Sequence, residues 1–118
     1  MTGHLEAVTQ DAERLRGVWA PDGVLEFPYA PPEMTSRIEG IDRLVAYFDG
    51  SRRWGDWRFE PVRAVVDEAR RLHVAEIHAE ATWVETGRPY VQDYVIWMVL
   101  DADERITSWR EYWDKSRV

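Results

Sequence analysis

The sequence predicts an α+β fold: a strongly curved antiparallel sheet rolled towards a cone, with helices closing its concave side. Two observations carry this. Helical periodicity is confined to two segments in the first half of the chain, and four long extended segments joined by short polar links fill the second. Long strands twist and curl, and helices laid across the hollow leave a cavity closed at one end.

In the first segment, Leu5, Val8, Ala12, Leu15 and Trp19 recur every three or four residues, which predicts helix one from Thr2 to about Val18. Pro21, Asp22 and Gly23 should stop it, because Pro lacks an amide proton and Asp-Gly favours a turn. Val24 to Phe27 reads as a short strand. The PYAPPE stretch that follows holds three prolines in five residues, so a rigid loop or sheet edge is expected there. Ser36 to Ile38 is extended, and Ile41, Leu44, Val45 and Phe48 then share one face of helix two, Ile41 to Phe48.

Beyond the turn-rich DGSRRWGD, the extended segments are Trp57 to Val66, Arg71 to Val84, Tyr90 to Leu100 and Arg105 to Trp113. Their links DEAR, ETGR and DADE have hairpin length and polarity, so a long meander is expected. In the second of these strands Ala75, Ile77, Ala79, Ala81 and Trp83 form an apolar face. Glu76, His78, Glu80 and Thr82 form a polar one, which can be solvated, lie at a subunit interface or line a polar pocket.

A chain of 118 residues without repeats or linkers is expected to be one domain, residues 1–118. A net charge of −7 argues against a nucleic-acid partner, whose affinity rests on clustered Lys and Arg. The absence of Cys excludes disulfides and thiolate chemistry, and the cytoplasm is the expected compartment. No apolar run approaches the roughly 20 residues that span a bilayer, so no membrane partner is expected. Seven Trp, five Tyr and three Phe either fill a core or line a cavity for an apolar guest.

The terminal strand carries the sharpest chemical signal. Alternation puts Trp109, Glu111 and Trp113 on one face, so a carboxylate is held between two indoles. In a dry pocket the charged form loses hydration, the pKa rises and the acid can give and take a proton near neutrality. Otherwise Glu111 is a structural acid paired with Arg110, Arg105 or an indole N–H. His78, flanked by Glu76 and Glu80, is a second titratable candidate, whereas His4 and His73 read as solvated. The scattered histidines supply no convincing metal set, and no phosphate loop or dinucleotide fingerprint is present, so no cofactor is expected.

The stretches APDGVLEFPYAPPEMTSRIEGIDRLVAYF and GRPYVQDYVIWMVLDADERITSWREYWD resemble the SnoaL-like branch of the nuclear transport factor 2-like superfamily. Gly40 to Leu44, the GDWRF segment and the REY triplet are similar to the phenazine-biosynthesis A/B proteins within it. The resemblance implies a cone-shaped α+β barrel, a homodimer formed through the outer sheet face, and the role of pocket acid for Glu111. It also implies pocket positions for Tyr90 and Ser51. The family's active-site histidine of helix two falls on Tyr47 here, and its helix-one arginine falls on Leu15.

The expected function is therefore a small cofactor-independent cyclase or isomerase for an apolar, carbonyl-bearing natural-product intermediate. Glu111 would move the proton, Tyr47 and Tyr90 would hold the substrate oxygen, and Ser51 would assist. Trp19, Phe27, Trp109 and Trp113 are expected as walls that exclude water. A module of the same fold that binds a small apolar organic ligand without converting it is the alternative, and a dimer with a collapsed, solidly packed cavity is a third.

Overall fold

The structure, a computed structural model, describes residues 1–50 and 54–117. Six strands form one curved, unclosed sheet in the order β2-β1-β6-β5-β4-β3. They are β1 (Trp19–Glu26), β2 (Arg37–Glu39), β3 (Trp54–Asp67), β4 (Leu72–Trp83), β5 (Pro89–Leu100) and β6 (Ile106–Trp113). Helices α1 (Thr2–Gln10) and α2 (Ile41–Gly50) complete the α+β layout. The meander β3 to β6 is antiparallel, and β1 joins it by pairing parallel to β6. Among the described residues, no helix is long and apolar enough to cross a membrane.

Helix one is shorter than its periodicity suggests. Asp11 takes extended angles, φ −155° and ψ 106°, and its carboxylate accepts from the Glu13 amide, capping a separate 3-10 turn over Ala12–Gly17. Asp competes for local amides in this way, and here that competition splits an otherwise continuous apolar stripe. Ala7, Ala12 and Leu15 still reach the core from both pieces.

The second correction concerns Pro21, Asp22 and Gly23, which lie inside β1 rather than ending a helix. Register with β6 jumps from Trp19↔Ile106 to Val24↔Ser108, so the three residues form an outward bulge where the missing proline amide removes no ladder bond. Pro21 and Asp22 are exposed there, while Gly23 is buried against its neighbours. A Cβ on Gly23 would sit 2.5 Å from Trp19 Cε3 and 3.0 Å from the Ile106 carbonyl oxygen. Trp54 to Asp56, expected in a turn, instead begin β3, with Asp56 in the left-handed region at φ 52°.

The proline-rich segment is a loop of two turns, closed by Ala30 N–H to the Phe27 carbonyl and Met34 N–H to the Pro31 carbonyl. Alternation along β4 holds: Ala75, Ile77, Ala79 and Ala81 are buried, and Glu76, His78 and Glu80 face outward. Glu111 pairs with Ile96, Trp109 with Met98 and Trp113 with Tyr94, so the inward row of β6 continues the inward row of β5. The end of β6 is clamped by fully buried Gln92, whose Nε2 donates to the Asp114 carbonyl at 2.8 Å and whose Oε1 accepts from the Asp114 amide at 3.0 Å.

The tight fit at the bulge predicts that Gly23→Ala overpacks the Trp19 ring. Urea denaturation should report a loss of about 1–3 kcal/mol relative to the native chain.

Candidate functional site

Helices α1 and α2 cross the hollow of the sheet without filling it, and a cavity of about 410 Å³ remains between them and β3–β6. That volume suits a small organic ligand. Aromatic side chains dominate the wall, with Phe27, Tyr47, Trp57, Tyr90, Tyr94 and Trp113 among them.

Glu111 is on this wall, from the middle of the inward row of β6. Glu111 is partly buried and borders the cavity from the inward face, so its carboxylate is poorly hydrated. Burial is the largest influence and raises the pKa; the Trp109 indole, donating from Nε1 to Oε1 at 3.2 Å, pulls it down. The balance leaves the carboxyl pushed up to about 7. Oε2 has no hydrogen-bond partner among the described residues.

Tyr90 and Tyr94 form a second polar group on the wall. Gln92 Nε2 donates to the Tyr90 hydroxyl oxygen at 3.3 Å, and Tyr94 lines the same wall four residues further along β5. With that donor directed at it, the Tyr90 oxygen keeps its own proton available to donate elsewhere. Burial raises the pKa of both phenols, so both remain neutral donors. Tyr47, from α2, borders the cavity with its ring 6.2 Å from Phe27 and 5.1 Å from Phe48.

The expected site residues are therefore placed unevenly. Glu111, Tyr47, Tyr90, Phe27 and Trp113 share the cavity wall. Trp19 and Trp109 do not border it: at 1% and 0% exposure they are solid core beneath the wall, and Trp109 acts on the cavity through its N–H. His78 is on the opposite face of the sheet, its Nδ1 2.7 Å from Asp93 Oδ1, with Arg117 donating to Asp93 Oδ2 at 2.8 Å. Strand alternation requires this, because His78 is out of phase with the inward Ile77 and Ala79. Ser51 lies outside the described residues, and Leu15 is fully buried core.

His4 overturns the expectation of a solvated residue. It is 2% exposed, borders the cavity and accepts at Nδ1 from Trp19 Nε1 at 2.9 Å. Desolvation, with a smaller effect from the charged N-terminus, brings its pKa down to about 3. Trp54, Trp57, Phe59, Tyr94 and Met34 also line the cavity and were not singled out by sequence reasoning. The phase of Tyr94 with Tyr90 on one strand was the available signal. Among the described residues, no group of three or more His, Asp or Glu side chains is arranged to hold a metal ion.

Comparison with known proteins gives this geometry a context. Residues 3–109 match the model of the SnoaL-like domain. An uncharacterized PhzA/B-like protein of Pseudomonas aeruginosa is 30% identical over 107 residues, 91% of this chain and 75% of that protein. A crystal structure from Bacillus subtilis, provisionally described as an isomerase, superposes with a TM-score of 0.77 and 28% identity, covering 97% of this chain and 79% of the other. A protein from Catenulispora acidiphila with a ketosteroid isomerase-like fold, solved with trimethylamine, superposes with a TM-score of 0.80 at 15% identity, covering 99% and 86%.

The raised Glu111 pKa carries a stability signature of definite sign. A carboxyl held above its unfolded value of 4.5 binds its proton more tightly in the native state, so stability falls with rising pH wherever the unfolded chain has lost the proton and the native one still keeps it. Its stabilising effect is thus full below pH 4.5 and fades as pH rises through about 7. Across that window the chain should lose about 3 kcal/mol relative to Glu111→Gln, measured by denaturation over a pH series.

Proposed function

The chain belongs to the SnoaL-like domain family, and from that premise we propose that it is a cofactor-independent isomerase or cyclase acting by proton transfer on a small apolar ligand with a carbonyl group. The single observation that supports this most is the position of Glu111: a carboxyl on the wall of an aromatic cavity, with a pKa near 7 and one oxygen unpartnered. Such an acid exists in comparable amounts as base and as acid at neutral pH, which is what a shuttle needs.

The step consistent with this geometry begins with the ionised carboxylate. Glu111 Oε2 removes a proton from a carbon next to the ligand carbonyl; the C–H electron pair moves into a new carbon–carbon double bond, and the carbonyl π pair moves onto oxygen as an enolate. The Tyr90 hydroxyl, oriented by Gln92, donates to that oxygen, and Tyr47 supports the ligand from α2. Return of the proton from Glu111 to a different carbon completes a double-bond migration; alternatively the enolate carbon attacks a second carbonyl of the same molecule and closes a ring, the π pair of that carbonyl moves onto its oxygen, and this oxygen takes the proton from Glu111. Phe27 and Trp113 exclude water, which strengthens each polar contact in the cavity. The relatives contribute the fold and a provisional isomerase description for one of them, and the substrate class comes from the cavity's apolar wall.

The outer face of the sheet suits a homodimer, with the His78–Asp93–Arg117 cluster and half-exposed Trp97 on it. One domain and a soluble cytoplasmic setting complete the proposal.

The test is conversion of 3-cyclohexenone to its conjugated isomer, followed by ultraviolet absorbance, across native chain, Glu111→Gln and Tyr90→Phe. We expect Glu111→Gln to lower kcat by about 10²–10⁴-fold with ligand affinity retained, and Tyr90→Phe to lower it by about 10-fold or more. Equal rates for the native chain and Glu111→Gln would sink the proton-transfer role. Tight binding of apolar ketones with no turnover by either would favour a binding module.

A further inference from the structure

His4 borders the same cavity as Glu111 and takes no part in the proton transfer above. Its ring is wedged among three others, with centroids 4.1 Å from Trp109, 5.4 Å from Phe48 and 5.6 Å from Trp19. The Trp19 N–H, 2.9 Å from Nδ1, decides the chemistry of that ring. An indole nitrogen can only donate, so Nδ1 must be the acceptor and the ring proton must be on Nε2. Turning the ring over would put a C–H against the indole and strand a buried donor, at a cost of about 1–3 kcal/mol. Trp19 is itself fixed, at 1% exposure and at the start of β1.

The Nε2–H that results has no hydrogen-bond partner among the described residues. It is also not sealed off: the only fully buried side-chain nitrogen or oxygen without a partner, among the described residues, is Trp54 Nε1. The small accessible surface of His4 therefore belongs with the cavity that the residue lines. Charging the ring would place a cation in an aromatic enclosure with an N–H already pointing at Nδ1, so it stays neutral through the working range.

We propose that His4 Nε2–H is a fixed, uncharged hydrogen-bond donor for an acceptor oxygen of the ligand, at the end of the cavity walled by α1. The position relative to Glu111 follows from shared packing. His4 lies against Trp109, whose N–H holds Glu111, whereas Tyr94 pairs with Trp113 on the other side of the acid. The carboxyl thus stands between two donor groups, His4 on one side and the Tyr94–Tyr90 pair on the other. The ligand class this fits is an apolar compound with carbonyl-type oxygens at both ends of its reactive segment; an amine or ammonium at the His4 end would meet a donor with nothing to accept. As a catalytic role, donation to the forming enolate rests on the function proposed above; as a binding role it does not.

Two measurements test this on the full chain. Long-range ¹H–¹⁵N spectra of the His4 imidazole between pH 5 and 8 should show a single neutral tautomer protonated at Nε2. Infrared spectra of bound acetophenone labelled with ¹³C at the carbonyl should show a band moved to lower frequency in the native chain and equally in Glu111→Gln. His4→Phe should return the band to its position in apolar solvent and weaken acetophenone binding by up to about tenfold, and His4→Gln, which keeps an N–H, should recover part of both. A ring protonated at Nδ1, a ring that gains charge near pH 6.5, or the same carbonyl band with and without the imidazole overturns the proposal. A His4-dependent band together with unchanged turnover in Glu111→Gln would instead reject the proton-transfer reading and leave this donor standing.

Discussion

Trp109 organises the inside of the cone. It sits at the centre of β6, the strand flanked by β1 and β5, and is wholly buried, with its ring against His4 and 6.4 Å from Trp19. A buried indole N–H needs an acceptor, and here the acceptor is the carboxyl two residues along the same face. The contact satisfies the indole and anchors the acid, fixing which of its oxygens is left for a ligand. It also moderates the acid: desolvation alone would carry the pKa further up, and one donor to Oε1 restrains it near 7. Core packing and site chemistry thus meet in one residue, and the wall of the cavity inherits its order from the solid layer beneath.

Period-two alternation made much of this readable in advance. The REYWD run placed Trp109, Glu111 and Trp113 on one face, and β4 separated Ala75, Ile77 and Ala79 from His78, because a pleated strand allows no other arrangement. Alternation assigns faces but not depth. It could not separate Trp113, which reaches the cavity, from Trp109, which lies under it, since depth depends on where the helices land. The placement of α1 was equally hidden, because a single Asp11 side chain bonded to the Glu13 amide ends the regular helix early.

His4 shows the same limit most clearly. In sequence it is a polar residue near a chain end, one helical turn before Ala7 and Val8, and nothing local says what its ring nitrogens meet. Its burial depends on Trp19, fifteen residues away, offering an indole N–H at the right height after a bulged strand has brought it there. That pairing is a tertiary event, and no local pattern encodes it. Trp54 is a similar case, since the Gly-Asp turn signal beside it is absorbed by a left-handed Asp56 inside β3 rather than ending the strand.

The surface is strongly acidic, yet the groups on the cavity wall are uncharged or nearly so: phenols with raised pKa values, a neutral imidazole and a carboxyl near its midpoint. This has a consequence for proton transfer in a low-dielectric space. If Glu111 takes a proton from a neutral ligand, the negative charge leaves the carboxylate as it appears on the ligand oxygen. The cavity holds one charge before and after, so no second desolvation penalty is incurred. What must change is the partner of that charge, from the Trp109 N–H to donors at the ligand oxygen. A Tyr90 hydroxyl already held by Gln92 needs little reorganisation to receive it, which is how fixed dipoles lower a barrier that mobile water would not. On the proposed function, an anionic ligand would instead place two negative charges in the same enclosure, an electrostatic cost that a neutral guest does not meet.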